Sequence, residues 1–234
     1  MMSTAHVTTS PCKCEKKPKG QIQIIFGPMF SGKTTELVRR MKRYQLANYK
    51  CLVVKYSKDD RYDIDGVATH EGQVLPAVSA MSLMDLCCAA GCHDVIGIDE
   101  GQFFPDVVEF CDIMAEMGKT VIVAALDGTF QKKGFGNILN LVPLAESVVK
   151  LNAVCMKCFS AASFTKRKGS EKEVEVIGGA DKYLAVCRTC FYSPQKSEED
   201  KENTPVQCDL HAPVDTKHKR KLFTSPLNMV NAAS

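Results

Sequence analysis

The chain has 234 residues, 45% of them hydrophobic and 24% charged, with a formal net charge of +3. That length suits one domain of ordinary size with a small appendage, and the composition is ample for a core. The charge balance is too small to indicate a nucleic-acid or anionic-membrane surface, no apolar run is long enough to span a bilayer, and no signal peptide is visible.

Residues 1–19 are polar and lysine-rich, which predicts a disordered arm. From 20 to 150 an α/β nucleotide-binding domain is expected. Ile22, Ile24, Ile25 and Phe26 read as a buried parallel strand. Gly27-Pro28-Met29-Phe30-Ser31-Gly32-Lys33-Thr34 then fits the phosphate-loop pattern with nothing missing. Its chemistry accounts for the spacing. Successive backbone N–H groups must wrap a polyphosphate, and glycines permit the tight path this needs. The helix that follows aims its free N–H groups and dipole at the same charge. Lys33 can reach the β- and γ-phosphates of ATP, and the Thr34 hydroxyl can ligate Mg²⁺.

A helix is predicted from Thr34 to Ala47, with Leu37, Val38 and Met41 on its apolar face, and a strand over Cys51–Val54. Residues 58–76 carry few signals of regular structure. MSLMDLCCAAG predicts a helix that stops at Gly91. Cys51, Cys87, Cys88 and Cys111 fall in apolar or helical text, where free thiols pack as small hydrophobes. Twelve cysteines could mark a secreted disulfide protein. A phosphate loop, however, needs intracellular ATP, so a reducing cytoplasm is expected.

Val95-Ile-Gly-Ile98 is a buried strand ending in Asp99 and Glu100. That is the layout of an acidic strand in a phosphate-loop enzyme: the first carboxylate serves the Mg²⁺ shell and a nearby base handles the nucleophile. A helix from Pro105 to Met117 ends before Gly118, and Val121–Leu126 is a further strand leading into a loop rich in glycine and phenylalanine. ILNLVPLAESVVKL supplies a short helix and an edge strand. The alternation predicts a RecA-like parallel sheet with helices on both faces and a ligand at the strands' C-terminal ends, where Gly27, Asp99 and Asp127 all lie.

A second, small module is expected over 151–192. Cys155-x-x-Cys158 and Cys187-x-x-Cys190 are the two thiolate pairs of a closed, structural Zn²⁺ site. Four free thiols or two disulfides are the alternatives. Metal binding would order the segment from Thr165 to Tyr183, which has too few apolar residues to order itself. A ribbon of this kind also fits an ATPase acting on nucleic acid, but its lysines and arginines are offset by Glu171, Glu173, Glu175 and Asp181.

The motifs GPMFSGKT, KYSKDDRY, VIGIDEGQFFPD, ALDGTF, and CMKCF paired with CRTC around VEVIGGADKY resemble the cytosolic thymidine kinases of the zinc-containing type, most closely the vertebrate ones. The likeness runs from about Gly20 to Tyr192. It implies transfer of the γ-phosphate of Mg-ATP to the 5′-hydroxyl of thymidine, and of deoxyuridine. It implies Glu100 as general base and Asp99, Gln102 and Arg61 beside the phosphate loop, with Asp59 close to the sugar. Met29, Leu126, Thr165 and Tyr183 would surround the base's methyl group, and Phe103, Phe130 and Phe135 would supply apolar walls. Val174, Val176, Ile177 and Gly178 would form a zinc-held lid over thymine. Phe104 and Leu139 are left to core packing. The resemblance further implies a homotetramer, with no direct nucleic-acid binding.

Residues 193–234 are polar and proline-dotted, which predicts a disordered tail. Lys201-Glu202-Asn203 resembles a ubiquitin-ligase recognition signal, Ser10 and Ser225 precede prolines as candidate phosphorylation sites, and Lys217–Lys221 reads as solvated basic text.

Overall fold

Residues 20–57, 66–68, 74–169 and 178–193 are described by a computed structural model. The arm, the tail with Lys201-Glu202-Asn203, Ser10 and Ser225, and Asp59, Arg61, Val174, Val176 and Ile177 lie outside them.

The central sheet has six strands, all paired in parallel: β1 (Gln21–Phe26), β2 (Cys51–Tyr56), β5 (Val78–Ala80), β6 (Val95–Ile98), β7 (Thr120–Ala125) and β8 (Ser147–Lys150), in the order β5-β2-β6-β7-β1-β8. Between β2 and β5, the short strands β3 (Gly66–Ala68) and β4 (Val74–Pro76) pair as an antiparallel hairpin. Alternate strand residues feed two cores. Ile22, Ile24, Ile96, Ile98, Val121 and Val123 face one side. There they meet α3 (Val107–Glu116), which buries Val107, Phe110, Cys111 and Met114. Ile25, Val53, Ile122 and Ala124 face the other side, against Leu37, Val38 and Met41 of α1 (Lys33–Leu46). Period-2 strands and a period-3.6 helix thus close both faces, as expected.

Gly118 follows α3 with φ +84, the left-handed residue that ends a helix. Several expectations are corrected. The predicted helix after Ser79 is a 3-10 turn over Met84–Leu86 and a short α2 (Cys87–Gly91), and Ser79 itself lies in β5. Residues 74–76 are strand rather than irregular. Cys111 is buried as expected and Cys51 and Cys87 partly so, but Cys88 is exposed. Leu139 is 41% exposed, because it stands on the outer side of the 3-10 turn whose Ile138 and Leu141 turn inward. Phe104 is core.

Beyond β8 the chain forms two small antiparallel pairs. β9 (Ala153–Val154) pairs with β10 (Ala161–Ala162), and β11 (Phe164–Arg167) with β12 (Tyr183–Val186). The helical turn α4 (Arg188–Tyr192) follows. The segment expected to depend wholly on metal therefore begins and ends in strand.

Candidate active site

The phosphate loop leaves β1 at Gly27, where a Cβ would stand 2.5 Å from Ser31 Oγ and 2.7 Å from the Leu151 carbonyl oxygen. Gly32 caps α1 at φ +79 with open space around it. Here conformation, not crowding, requires glycine. Phe30 also takes the left-handed region, at φ 64. Lys33, buried, donates from Nζ to the Pro28 carbonyl oxygen at 3.0 Å. The Ser31 hydroxyl oxygen is buried without a hydrogen-bond partner. A buried orphan polar atom in a loop of this shape is what a phosphate oxygen would satisfy.

Across from the loop, the Thr34 hydroxyl lies 3.2 and 3.1 Å from the two carboxylate oxygens of Asp99. Burial, then the neighbouring Glu100 charge, push the Asp99 carboxyl up to about 7, against the opposing pull of the Thr34 hydroxyl and Lys33. A hydroxyl beside a carboxylate that is costly to ionise alone is a donor set for a hard cation, so the residues fit Mg²⁺.

Glu100 is held at φ 52, ψ 42, left-handed for a residue with a side chain. Such backbone costs on the order of 1 kcal/mol or more and persists only where surroundings enforce it. The enforcement is visible. Gln102 Nε2 donates to Glu100 Oε2 at 2.6 Å, while Gln102 Oε1 accepts from the Leu126 N–H at 2.9 Å. Gln102, expected near the phosphates, is buried between the carboxylate and β7's exit. Gly101 admits no Cβ, which would meet Val123 Cγ1 at 2.5 Å.

The apolar residues gather in two groups. Phe103 stacks on Tyr56, ring centroids 5.3 Å apart, and meets Phe135 edge-on at 5.6 Å. Phe130 carries the Arg167 guanidinium at 4.0 Å, and Arg167 Nη2 donates to the Tyr183 hydroxyl at 2.7 Å. Arg167 is one of the ribbon's basic residues, weighed from sequence only as charge offset by acidic neighbours. It is buried, opposite Tyr183 in the β11–β12 register, and the alternation of Thr165 and Arg167 on one strand face was the signal available. Tyr56 was likewise missed. Gly178 rests against the stem of Lys182 at the edge of 170–177.

The second module reaches the phosphate loop directly. The Met29 N–H donates to Thr165 Oγ1 at 3.0 Å, and Phe30 packs on the module's small apolar cluster.

One ligand atom from each of Cys155, Cys158, Cys187 and Cys190 lies within 4.8 Å of the others, with Cys158 and Cys187 sulfurs 3.5 Å apart. A zinc tetrahedron with bonds of about 2.3 Å has edges of about 3.8 Å, so the cluster fits. Although burial raises the Cys155 thiol, N–H groups of Cys187, Lys157 and Cys158 outweigh it and bring it down to about 6. The Cys190 N–H points at Cys187 Sγ, 3.4 Å away. Backbone donors around Cys155 favour its thiolate, the form a metal takes, while the neighbouring Cys158 and Cys187 sulfurs push the Cys190 thiol up to about 12 in the metal's absence.

The family described as thymidine kinase matches residues 20–191. The chain is 62% identical over 215 residues to the cytosolic thymidine kinase of Gallus gallus, covering 89% of this chain and 93% of that one. It is 57% identical over 226 residues to the Homo sapiens cytosolic thymidine kinase, covering 95% of each. A thymidine kinase of vaccinia virus (strain Western Reserve) is 62% identical over 172 residues, 74% of this chain and 97% of that one.

Proposed function

We propose, from the premise that this chain belongs to the thymidine kinase family, how its residues carry that family's reaction. It is a phosphotransferase, moving the γ-phosphate of ATP to thymidine. The acceptor atom is the 5′-hydroxyl, and deoxyuridine serves as a second acceptor. The nucleic-acid ATPase reading has nothing in its favour.

One contact carries the proposal: the hydrogen bond between the Met29 N–H and Thr165 Oγ1. Through it a strand of the cysteine module lies on the phosphate loop, so the nucleoside's walls and the donor's cradle share an edge. Gly27–Thr34 hold the phosphates. Mg²⁺ between Thr34 and Asp99 would neutralise charge on the transferring group. Glu100, oriented by Gln102, takes the hydroxyl proton as the oxygen attacks. Met29, Leu126, Thr165 and Tyr183 surround the base, with Phe103, Phe130 and Phe135 as walls. Asp59 and Arg61 attend the sugar and phosphate. Val174, Val176, Ile177 and Gly178 close over thymine and exclude water, with structural Zn²⁺ on the four cysteines holding that lid.

Four chains assemble as a homotetramer in the cytoplasm, a place the vertebrate relatives' names carry; no helix of the described residues is long and apolar enough to cross a membrane. The segments outside the catalytic region serve regulation: Lys201-Glu202-Asn203 for a ubiquitin ligase, Ser10 and Ser225 for phosphorylation. The viral relative, matched over 97% of its length by 74% of this chain, supports a catalytic region shorter than the whole.

The test is a nucleoside panel with Mg-ATP. ADP should form with thymidine and deoxyuridine, not with purine nucleosides. ADP formation driven by DNA without a nucleoside would overturn the reading.

A further inference from the structure

Lys132 lies in the loop after β7 at φ 61, where glycine is favoured. Its Nζ donates to the Tyr192 hydroxyl at 2.5 Å and stands 3.9 Å from that ring's centroid, 4.1 Å from Phe191 and 5.1 Å from Phe164. All three rings belong to the cysteine module. The reverse contact is already described: Arg167, of the module, covers Phe130 of the loop and bonds Tyr183. A cation from each piece therefore enters the aromatic surface of the other, and the two contacts stand two residues apart on the loop.

The loop is stiff enough to transmit this. Gly128 and Gly134 pair across it, Thr129 N–H donates to the Lys133 carbonyl at 2.8 Å, and Lys132 N–H donates to that of Thr129 at 2.9 Å. On the module side, Lys166 Nζ donates to the carbonyls of Phe191 and Ser193 at 2.7 and 2.8 Å, anchoring the cage.

We propose that Lys132 is a positioning residue for the nucleoside acceptor: seated among Phe164, Phe191 and Tyr192, it latches the loop to the cysteine module and sets Phe130 and Tyr183 at the spacing a pyrimidine base needs. The proposal rests on Phe130 and Tyr183 being walls of the thymidine pocket. Lysine at this φ gives up backbone ease for the cage contacts. Glycine would recover the backbone and lose the cage, which separates latch from turn.

The test compares Lys132→Gly, Lys132→Arg and Phe130→Ala with the parent in steady-state kinetics, thermal melting and zinc content. Lys132→Gly should keep its zinc, its melting temperature and its KM for ATP within about twofold. Its KM for thymidine should rise about 5–30-fold, the worth of a partly desolvated cation–π cage, with a smaller change in kcat. Lys132→Arg should restore most of the loss, and Phe130→Ala should raise the thymidine KM. An unchanged thymidine KM in Lys132→Gly, beside a raised one in Phe130→Ala, overturns the latch alone. Parallel rises in both KM values with a lower melting temperature make Lys132 merely structural and also overturn it. If Phe130→Ala leaves the thymidine KM unchanged, the pocket reading fails and takes the latch with it.

Discussion

The parallel sheet and the cysteine module meet at the phosphate loop, yet they are held by different physics. The sheet buries Ile22, Ile24, Ile96, Ile98, Phe104, Phe110, Met114 and Ile122 with under 2% exposure. Each such side chain contributes about 1.5–3 kcal/mol on leaving water. The module's buried cluster is Ala153, Cys155, Ala162, Ala185 and Val186, none larger than valine. Strands of two to four residues over so little apolar surface do not hold a fold by themselves, whereas a structural zinc on the four cysteines would contribute on the order of 10 kcal/mol. The donor side of the site should therefore outlast the acceptor side when metal is lost.

Attacks on either side, or on their seam, sharpen this contrast. The largest effect belongs to Glu100→Gln, which leaves both regions folded. We expect kcat to fall about 10²–10⁴-fold with ATP affinity retained, measured under saturating thymidine. Full activity would assign the proton transfer elsewhere. Next comes the sheet alone. Phe110→Ala should cost about 3–5 kcal/mol of global stability by denaturant unfolding, with zinc stoichiometry unchanged.

A smaller effect follows from Asp99, whose carboxyl sits near 7 rather than at its ordinary 3.8. A raised acid binds its proton more tightly folded than unfolded. Its stabilising contribution is thus complete below about pH 4 and is lost as pH rises through 7. In magnesium-free buffer the melting temperature should fall across that window, and Asp99→Asn should flatten the decline. With Mg²⁺ the sign reverses: binding releases the proton, so Mg²⁺ affinity should increase with pH up to about 7.

How legible these regions were follows the range of their interactions. Gly27–Thr34 and Ile98-Asp99-Glu100 were readable because strand, turn and chemistry are consecutive in sequence. The two Cys-x-x-Cys pairs were readable because metal spacing is local. Arg167 was not, since its burial depends on Tyr183 sixteen residues away and on Phe130 in another element. β5 was missed because three residues at a sheet edge, two of them exposed, leave too short a pattern. The inward Ile138 beside outward Leu139 needs the sheet's position to predict. Gln102 shows the remaining gap: its residue type suggested polar binding, while only the fold places its amide between Glu100 and Leu126.

The decisive measurement is a pair of calorimetric titrations on zinc-stripped protein, one with a non-hydrolysable ATP analogue and one with thymidine. The account predicts that nucleotide binding survives within a few-fold while thymidine binding disappears, and that zinc restores it. Thymidine bound with undiminished affinity in the stripped protein would contradict it.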